Sequence, residues 1–431
     1  MAPGTTAAVA PTGTAAVAAA YHEVRQRSLA LAAPLSAEDA MLQSLPEASP
    51  AKWHLGHTSW FFERMVLGAD PAYVPLHPEW DVLHNSYYHS LGTFRRRTSR
   101  GLLSRPTLEA VLAYRHELDA RLLEALDGGR LEGEQLQLLE LGLHHEQQHQ
   151  ELLLTDIKHA LWSNPLQPAY DPGLQRDPTP AASGDWLDYD EAVVTVGAAR
   201  WPAEQGAPFA YDNESPAHRV LVAAFRIAAR PVTNAEYRLF VEEGGYRDPR
   251  LWLSDGWDRV QAASWERPLY WSEGLEAEFT LAGIRALDPD APVVHLSAFE
   301  ADAFARWADA RLPTEFEWER AAAPLPVEGN FDPRRLHPGG PLQAGSPEAC
   351  PRRMFGDVWE WTSSSYSPYP GFRPFGGAAG EYNGKFMSGQ QVLRGGSCAS
   401  PRTHLRATYR NFFPADARWQ FSGLRLARDA A

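Results

Sequence analysis

The chain has 431 residues, with 40 basic and 54 acidic side chains and a formal net charge of −14 at pH 7. That length is too great for one compact core and suits two domains, and the acidic balance argues against nucleic acid or an anionic membrane as the main partner. Two cysteines, Cys350 and Cys398, exclude a disulfide framework. No apolar run approaches the roughly 20 residues that span a bilayer, and no Lys or Arg opens the first twenty residues as a secretory signal would, so a reducing, cytoplasmic setting is expected.

Residues 1–16 read as a flexible tail. From 17 to 163 the chain has helical grammar, with segments at 17–33, 50–68, 107–128 and 134–162. The second opens at Ser-Pro, and the third carries apolar residues at three-and-four spacing and ends in Gly-Gly. Four such segments predict a helical bundle. The second and third are joined by about 38 residues containing HNSYYHSLG and RGLLSRP, long enough for a functional loop. A Pro/Gly/Asp-rich linker follows at 164–186. Residues 187–431 alternate short apolar runs (AVVTVG, HRVLVAAFRIA, QVLRGG, GLRLA) with Gly, Pro and Trp. Two clear helices appear there, capped by Thr233 and Ser297. The fold class is therefore α+β in two domains, the second rich in irregular structure.

One cluster stands out among the 15 histidines: His144-His145-Glu146-Gln147-Gln148-His149. On a helix His145 and His149 share a face, one turn apart, and two imidazoles so placed can bind one metal ion. Neutral imidazole suits Zn, Fe, Ni and Cu, so the pair does not select the metal. The string also fits H-E-x-x-H, with Glu146 as the general base of a zinc hydrolase. The second helix offers a third ligand within Trp53-His54-Leu55-Gly56-His57-Thr58, where Gly56 would let a facing helix approach closely. The simpler alternative is a set of hydrogen-bonded core histidines, with His54 and His144 outside any site.

The first half resembles the DinB-like bundle, with its G-H motif and H-x-x-x-H helix. The second resembles the formylglycine-generating-enzyme, C-type-lectin-like fold through PVTNAEYRLFVEEGGY, RLPTEFEWERAA, GDVWEWTSS, VLRGGS and GLRLA. Within those blocks Trp318, Trp359, Trp361, Asp357 and Glu360 are expected to be architectural. Formylglycine generators carry cysteines three and eight positions after the Ser of Gly-Gly-Ser; here those positions are Ser400 and Leu405, so copper-thiolate chemistry is not expected. Joined in this order, the two halves resemble the ergothioneine-pathway sulfoxide synthases, or hercynine oxygenases.

The resemblance implies an Fe(II) enzyme that couples dioxygen reduction to carbon–sulfur bond and sulfoxide formation between hercynine and a thiol. It implies His57, His145 and His149 as iron ligands, Gln148 beside the substrate's trimethylammonium group, Asn411 on its carboxylate, and Phe412 and Phe413 as an aromatic wall. The γ-glutamylcysteine-using branch carries Asp and Arg where this chain has Phe413 and Ala417. Asn85-Ser86-Tyr87-Tyr88 looks instead like the branch that uses free L-cysteine, with Tyr87 and Tyr88 as catalytic proton donors. Arg95, Arg96, Arg97, Arg100 and Arg105 are candidates for the cysteine carboxylate, and Tyr382 for a further wall residue. Rival readings are a selenoneine synthase, an ovothiol-type synthase acting on histidine, and the zinc hydrolase.

Overall fold

Helix formation in the first half follows its apolar periodicity, with a side-chain cap on only one of the described helices there, the one that starts at Leu108. In a computed structural model, which describes residues 13–204, 206–341 and 350–430, α1 spans Thr14–Ala32, α2 Ala51–Phe61, α3 Asp81–His84, α4 Leu108–Asp127 and α5 Glu134–Ser163. The first twelve residues of the predicted tail lie outside the described residues, and its last three belong to α1. The Thr107 hydroxyl caps α4 by accepting the Ala110 amide at 3.1 Å. Beyond Phe61 the α2 chain continues as a π turn, Phe62–Val66, and a 3-10 turn, Leu67–Ala69. Helices α1, α2, α4 and α5 form the bundle. Among the described residues no helix is long and apolar enough to cross a membrane.

Residues 164–185 of the predicted linker run as irregular chain across both domains, and its last residue, Trp186, opens a strand. Tyr170 is buried and donates to the Leu31 carbonyl at 2.6 Å. Beyond it come β1 Trp186–Tyr189, β2 Ala192–Val196, β3 His218–Val222, β4 Phe225–Ala228, β5 Ala277–Thr280, β6 Gly283–Ala286, β7 Trp359–Ser365, β8 Gln390–Arg394, β9 Asn411–Pro414, β10 Ser422–Gly423 and β11 Ala427–Asp429. They form a three-stranded sheet, β1-β4-β11, a four-stranded sheet, β10-β7-β8-β9, and two hairpins. In the larger sheet β10 lies parallel to β7 and the other pairs are antiparallel.

The two predicted helices are present as α6, Asn234–Glu242, and α8, Ala298–Trp307, each opened by a capping box from Thr233 and Ser297. Two more were not predicted: α7, Ser254–Ala263, and α9, Glu315–Ala322. The second-half tryptophans pack as expected, with Trp318, Trp359 and Trp361 almost fully buried. Asp357 accepts the Gly339 amide and the Arg353 guanidinium, and Glu360 accepts from Trp318 and Arg425.

The domains share their core. One apolar cluster runs from Trp60, Phe61, Tyr88 and Leu141 of the bundle into Phe209, Trp359, Trp361 and Tyr409 of the second domain. Another joins Leu153, Leu154 and Ile157 of α5 to Tyr270, Phe279 and Phe421. Helix α5 is consequently buried on opposite sides by two domains, and its histidines lie at the seam.

Candidate metal centre at the domain seam

His57 projects from the middle of α2, and His145 and His149 from successive turns of α5. The three are buried, with one ligand atom from each lying within 4.8 Å of the others. Nε2 of His57 is 3.2 Å from Nε2 of His145. The other nitrogen of His57 donates to the His84 carbonyl at 2.6 Å, which turns the Nε2 lone pair toward His145. The His57 ring is stacked on Trp53 at 4.5 Å and on Trp60 at 5.7 Å. Gly56 makes room for the His84 ring rather than for a helix: an added Cβ would overlap that imidazole, 2.6 Å from its Cδ2.

His54, to which the metal reading gave no role, stands directly behind His149. Its Nδ1 lies 2.8 Å from Nδ1 of His149 and its Nε2 3.1 Å from the Asp156 carboxylate. His54 Nε2–H donates to Asp156, and with His54 Nδ1 as acceptor, His149 Nδ1–H donates to His54 and Nε2 of His149 keeps a lone pair. Burial holds His57 and His149 well below the ordinary histidine range and brings His145 to about 4. Three uncharged imidazoles with converging ligand atoms, two of them anchored through their other nitrogen (His57 on the His84 carbonyl, His149 on His54) and His145 with Nδ1 unpartnered among the described residues, are the donor set of a divalent-cation site. Iron(II) fits that set.

Glu146 is turned away from this centre. Its carboxylate accepts from Arg25 at 2.9 Å, from Ser28 at 2.5 Å and from Arg115. Burial alone would raise its pKa, but Arg115 and Arg25 pull it to about 2. A general base must reach the water it activates, and both oxygens of Glu146 are committed to cations on the far side of α5. That removes the zinc-hydrolase reading.

The remaining predicted site residues divide. Gln148 donates to the Tyr409 hydroxyl at 3.1 Å, with the Tyr382 phenol beside the same amide. Tyr87 stacks on Tyr382 at 5.3 Å, and Tyr88 is buried against Trp60 and Phe61. The long loop carrying both tyrosines is tied to the second domain: Glu381 accepts the His89 and Ser90 amides, and Lys385 donates to the Tyr87 carbonyl at 2.9 Å.

Phe412 and Phe413 do not form one wall. On β9, Phe412 is paired with Val392 and Phe413 with Gln391, and alternation sends neighbouring side chains to opposite faces. Phe412 packs with Tyr366, Tyr382 and Phe386, and Phe413 with Trp419. Asn411 is two positions from Phe413 and shares its face. The Asn411 Oδ1 accepts the Phe412 amide at 2.9 Å, leaving Nδ2 as a donor.

Of the five arginines, Arg95, Arg96, Arg97 and Arg105 are exposed, whereas Arg100 is 2% exposed. Its guanidinium lies 3.3 Å over the Trp53 ring, next to His57, and donates to Ser49 and Ser86. Among the described residues no carboxylate pairs with it. Sequence reasoning did not find Asp156 or His404. Only Asp156 left a signal there, seven residues after His149 and therefore on the same helix face. Ser400, at one of the formylglycine-generator cysteine positions, donates to Glu151 of α5 at 2.7 Å; here that position joins the domains.

Comparison with known proteins agrees with this architecture. The sulfatase-modifying factor enzyme 1-like domain matches residues 187–340 and 349–430, and the DinB superfamily matches residues 20–153. Hercynine oxygenase of Mycolicibacterium smegmatis is 36% identical over 94% of this chain and 96% of its own length. That of Mycolicibacterium thermoresistibile is 36% identical over 94% and 93%, and that of Mycobacterium tuberculosis 34% over 95% and 98%. A bundle with a three-histidine centre, fused to this second domain and similar to those enzymes end to end, places the chain in the hercynine oxygenase family.

Proposed function

We propose that the protein joins C2 of the hercynine imidazole to the sulfur of L-cysteine and oxidises that sulfur to a sulfoxide, using dioxygen and Fe(II) held by His57, His145 and His149. One C–H and one S–H bond are replaced by a C–S bond, one oxygen atom enters the sulfoxide, and the other leaves as water. The four electrons lost by the substrates reduce one O2. The observation that carries the reading is the neutral histidine trio beside Arg100, a buried guanidinium that pairs with no carboxylate among the described residues. Iron(II) at the trio supplies one-electron chemistry with dioxygen and coordination positions open to both substrates.

The chain's own groups then divide the work. Arg100 receives the cysteine carboxylate, a charge-assisted contact that completes its pairing. Phe413 and Ala417 offer no charge to the second carboxylate of a γ-glutamyl donor. Gln148 contacts the trimethylammonium group, Asn411 Nδ2 donates to the hercynine carboxylate, and Phe412 supports Tyr382 from behind. Burial raises the pKa of Tyr87 and Tyr88 far above neutrality, so both phenols keep their protons and act as donors.

The test loads the protein anaerobically with Fe(II), adds hercynine with L-cysteine or γ-glutamylcysteine, admits oxygen and reads products by mass spectrometry. Hercynylcysteine sulfoxide, lost in His57→Ala together with stoichiometric iron, is expected. Product only with γ-glutamylcysteine would overturn the donor assignment while leaving the iron centre. No sulfoxide from either thiol would overturn the reaction and direct the same assay to a selenium donor or to histidine.

A further inference from the structure

Gln148 is held from the second domain by a chain of hydrogen bonds. Its Nε2 lies 3.1 Å from the Tyr409 hydroxyl, that hydroxyl lies 3.0 Å from Nε2 of His404, and Nδ1 of His404 lies 3.3 Å from Nδ1 of His144. Tyr409 and His404 are 3% and 1% exposed, so water does not substitute for these partners. Gln148 N–H donates to the Tyr409 oxygen, and the single phenol proton of Tyr409 is left for Nε2 of His404. The NH2 end of the amide is therefore directed at Tyr409, and Oε1 accepts from no described residue.

From this chain we infer that Tyr409, backed by His404, is a positioning residue that fixes the rotation of the Gln148 amide, so that its carbonyl oxygen faces the substrate's trimethylammonium group. The inference rests on the placement of Gln148 beside that group. A quaternary ammonium has no proton to donate, so only the negative end of a nearby dipole attracts it; the reversed amide would set N–H groups against a cation. Tyr409 therefore contributes to selection of a trimethylated amine without touching it. Its ring is held independently, edge-on to Trp359 at 5.3 Å and beneath Arg406 at 5.0 Å, so deleting the hydroxyl leaves the packing in place.

The experiment titrates the Fe(II)-loaded protein with hercynine and with L-histidine under anaerobic conditions, following heat. Tyr409→Phe is expected to weaken hercynine about tenfold, the scale of one hydrogen bond facing a charge, and to leave L-histidine within twofold. In a Gln148→Ala background the same substitution is expected to add nothing, because Tyr409 acts through Gln148. His404→Gln, which loosens the hydroxyl from its far side, is expected to move the hercynine-to-histidine ratio in the same direction and serves if Tyr409→Phe folds poorly. Equal weakening of both ligands, or a full effect without Gln148, would overturn the positioning role. Wild-type protein with no preference for hercynine would overturn the placement of Gln148 itself, an outcome separable from failure of Tyr409.

Discussion

The two sides of α5 solve the same problem, a charged side chain in a dry interior, in opposite ways. Toward the bundle, Glu146 is met by two guanidinium groups, and Asp156 is met by His54 and the Ser49 amide. Toward the second domain, Glu151 is held only by neutral donors, Trp359, Ser397 and Ser400. Among the described residues Lys158 on that side has no carboxylate in hydrogen-bond reach; it donates to His295 at 2.6 Å between the Tyr270 and Phe421 rings. On the bundle side the Glu146 charge is thus compensated by Arg25 and Arg115, while Asp156 acts through His54 to orient His149. The second-domain side uses neutral hydrogen bonds and apolar packing, a joint that tolerates loss of charge.

The sharpest way to break this contrast is Glu146→Gln. The substitution leaves Arg115 buried without a counter-charge and Arg25 with Asp119 alone, and loss of one member of a buried ion network costs about 3–5 kcal/mol. Unfolding in urea should show a loss of that size. A loss under about 1 kcal/mol would mean that the bundle does not depend on the compensation described.

Lys158 should respond next most strongly, and with pH. Burial lowers its pKa to about 8 from the model-compound value of 10.5, despite the opposing charge of Glu278 and the Cys398 thiol nearby. Between those values the unfolded chain binds a proton that the folded chain does not, so this residue makes the folded state more stable as pH rises from 8 to 10.5. The full change is up to about 3 kcal/mol. Lys158→Met removes the dependence. Thermal melts of both proteins across that range should show the variant more stable at pH 7.5 and the gap closing toward pH 10.5; a constant gap would contradict the assignment.

Asp156→Ala tests the support behind the metal site. Without the carboxylate, His54 no longer has its Nε2–H anchored and His149 loses its fixed tautomer. Loss of such outer contacts costs about 10–100-fold in metal affinity. Competition with a chelator for Fe(II) measures it, and unchanged affinity would place the relay outside the site's function.

These contrasts also mark what the sequence could convey. The His145–His149 pair was legible because four-residue spacing fixes a shared helix face. The role of Glu146 was not, since H-E-x-x-H says nothing of what surrounds the next face, and its partners Arg25 and Arg115 lie 121 and 31 residues away. His54 looked like a spare histidine because its role depends on Asp156, 102 positions later. Helix α9 is only eight residues long and shows too few turns for a periodic signal, although Thr314 and Glu317 spell a capping box. Phe412 and Phe413 were read together as neighbours in sequence, and strand alternation separated them. Both domains, in contrast, were legible from long local motifs whose packing is set within each block.

The smallest expected effect falls on the carboxylate that most resembles Glu146 by eye. Glu151 is as deeply placed on α5, and burial raises its pKa against the hydrogen bonds it accepts. Glu151→Gln keeps an oxygen that accepts from Trp359 and Ser397 and supplies an NH2 that donates to the Ser400 hydroxyl, and it leaves no cation without its counter-charge. Such an exchange is expected to cost at most about 1 kcal/mol. The same change five residues apart on one helix is thus expected to differ by several kcal/mol in urea unfolding. Equal losses at both positions would show that the seam with the second domain depends on the Glu151 charge after all, and that the two sides of α5 are electrostatically alike.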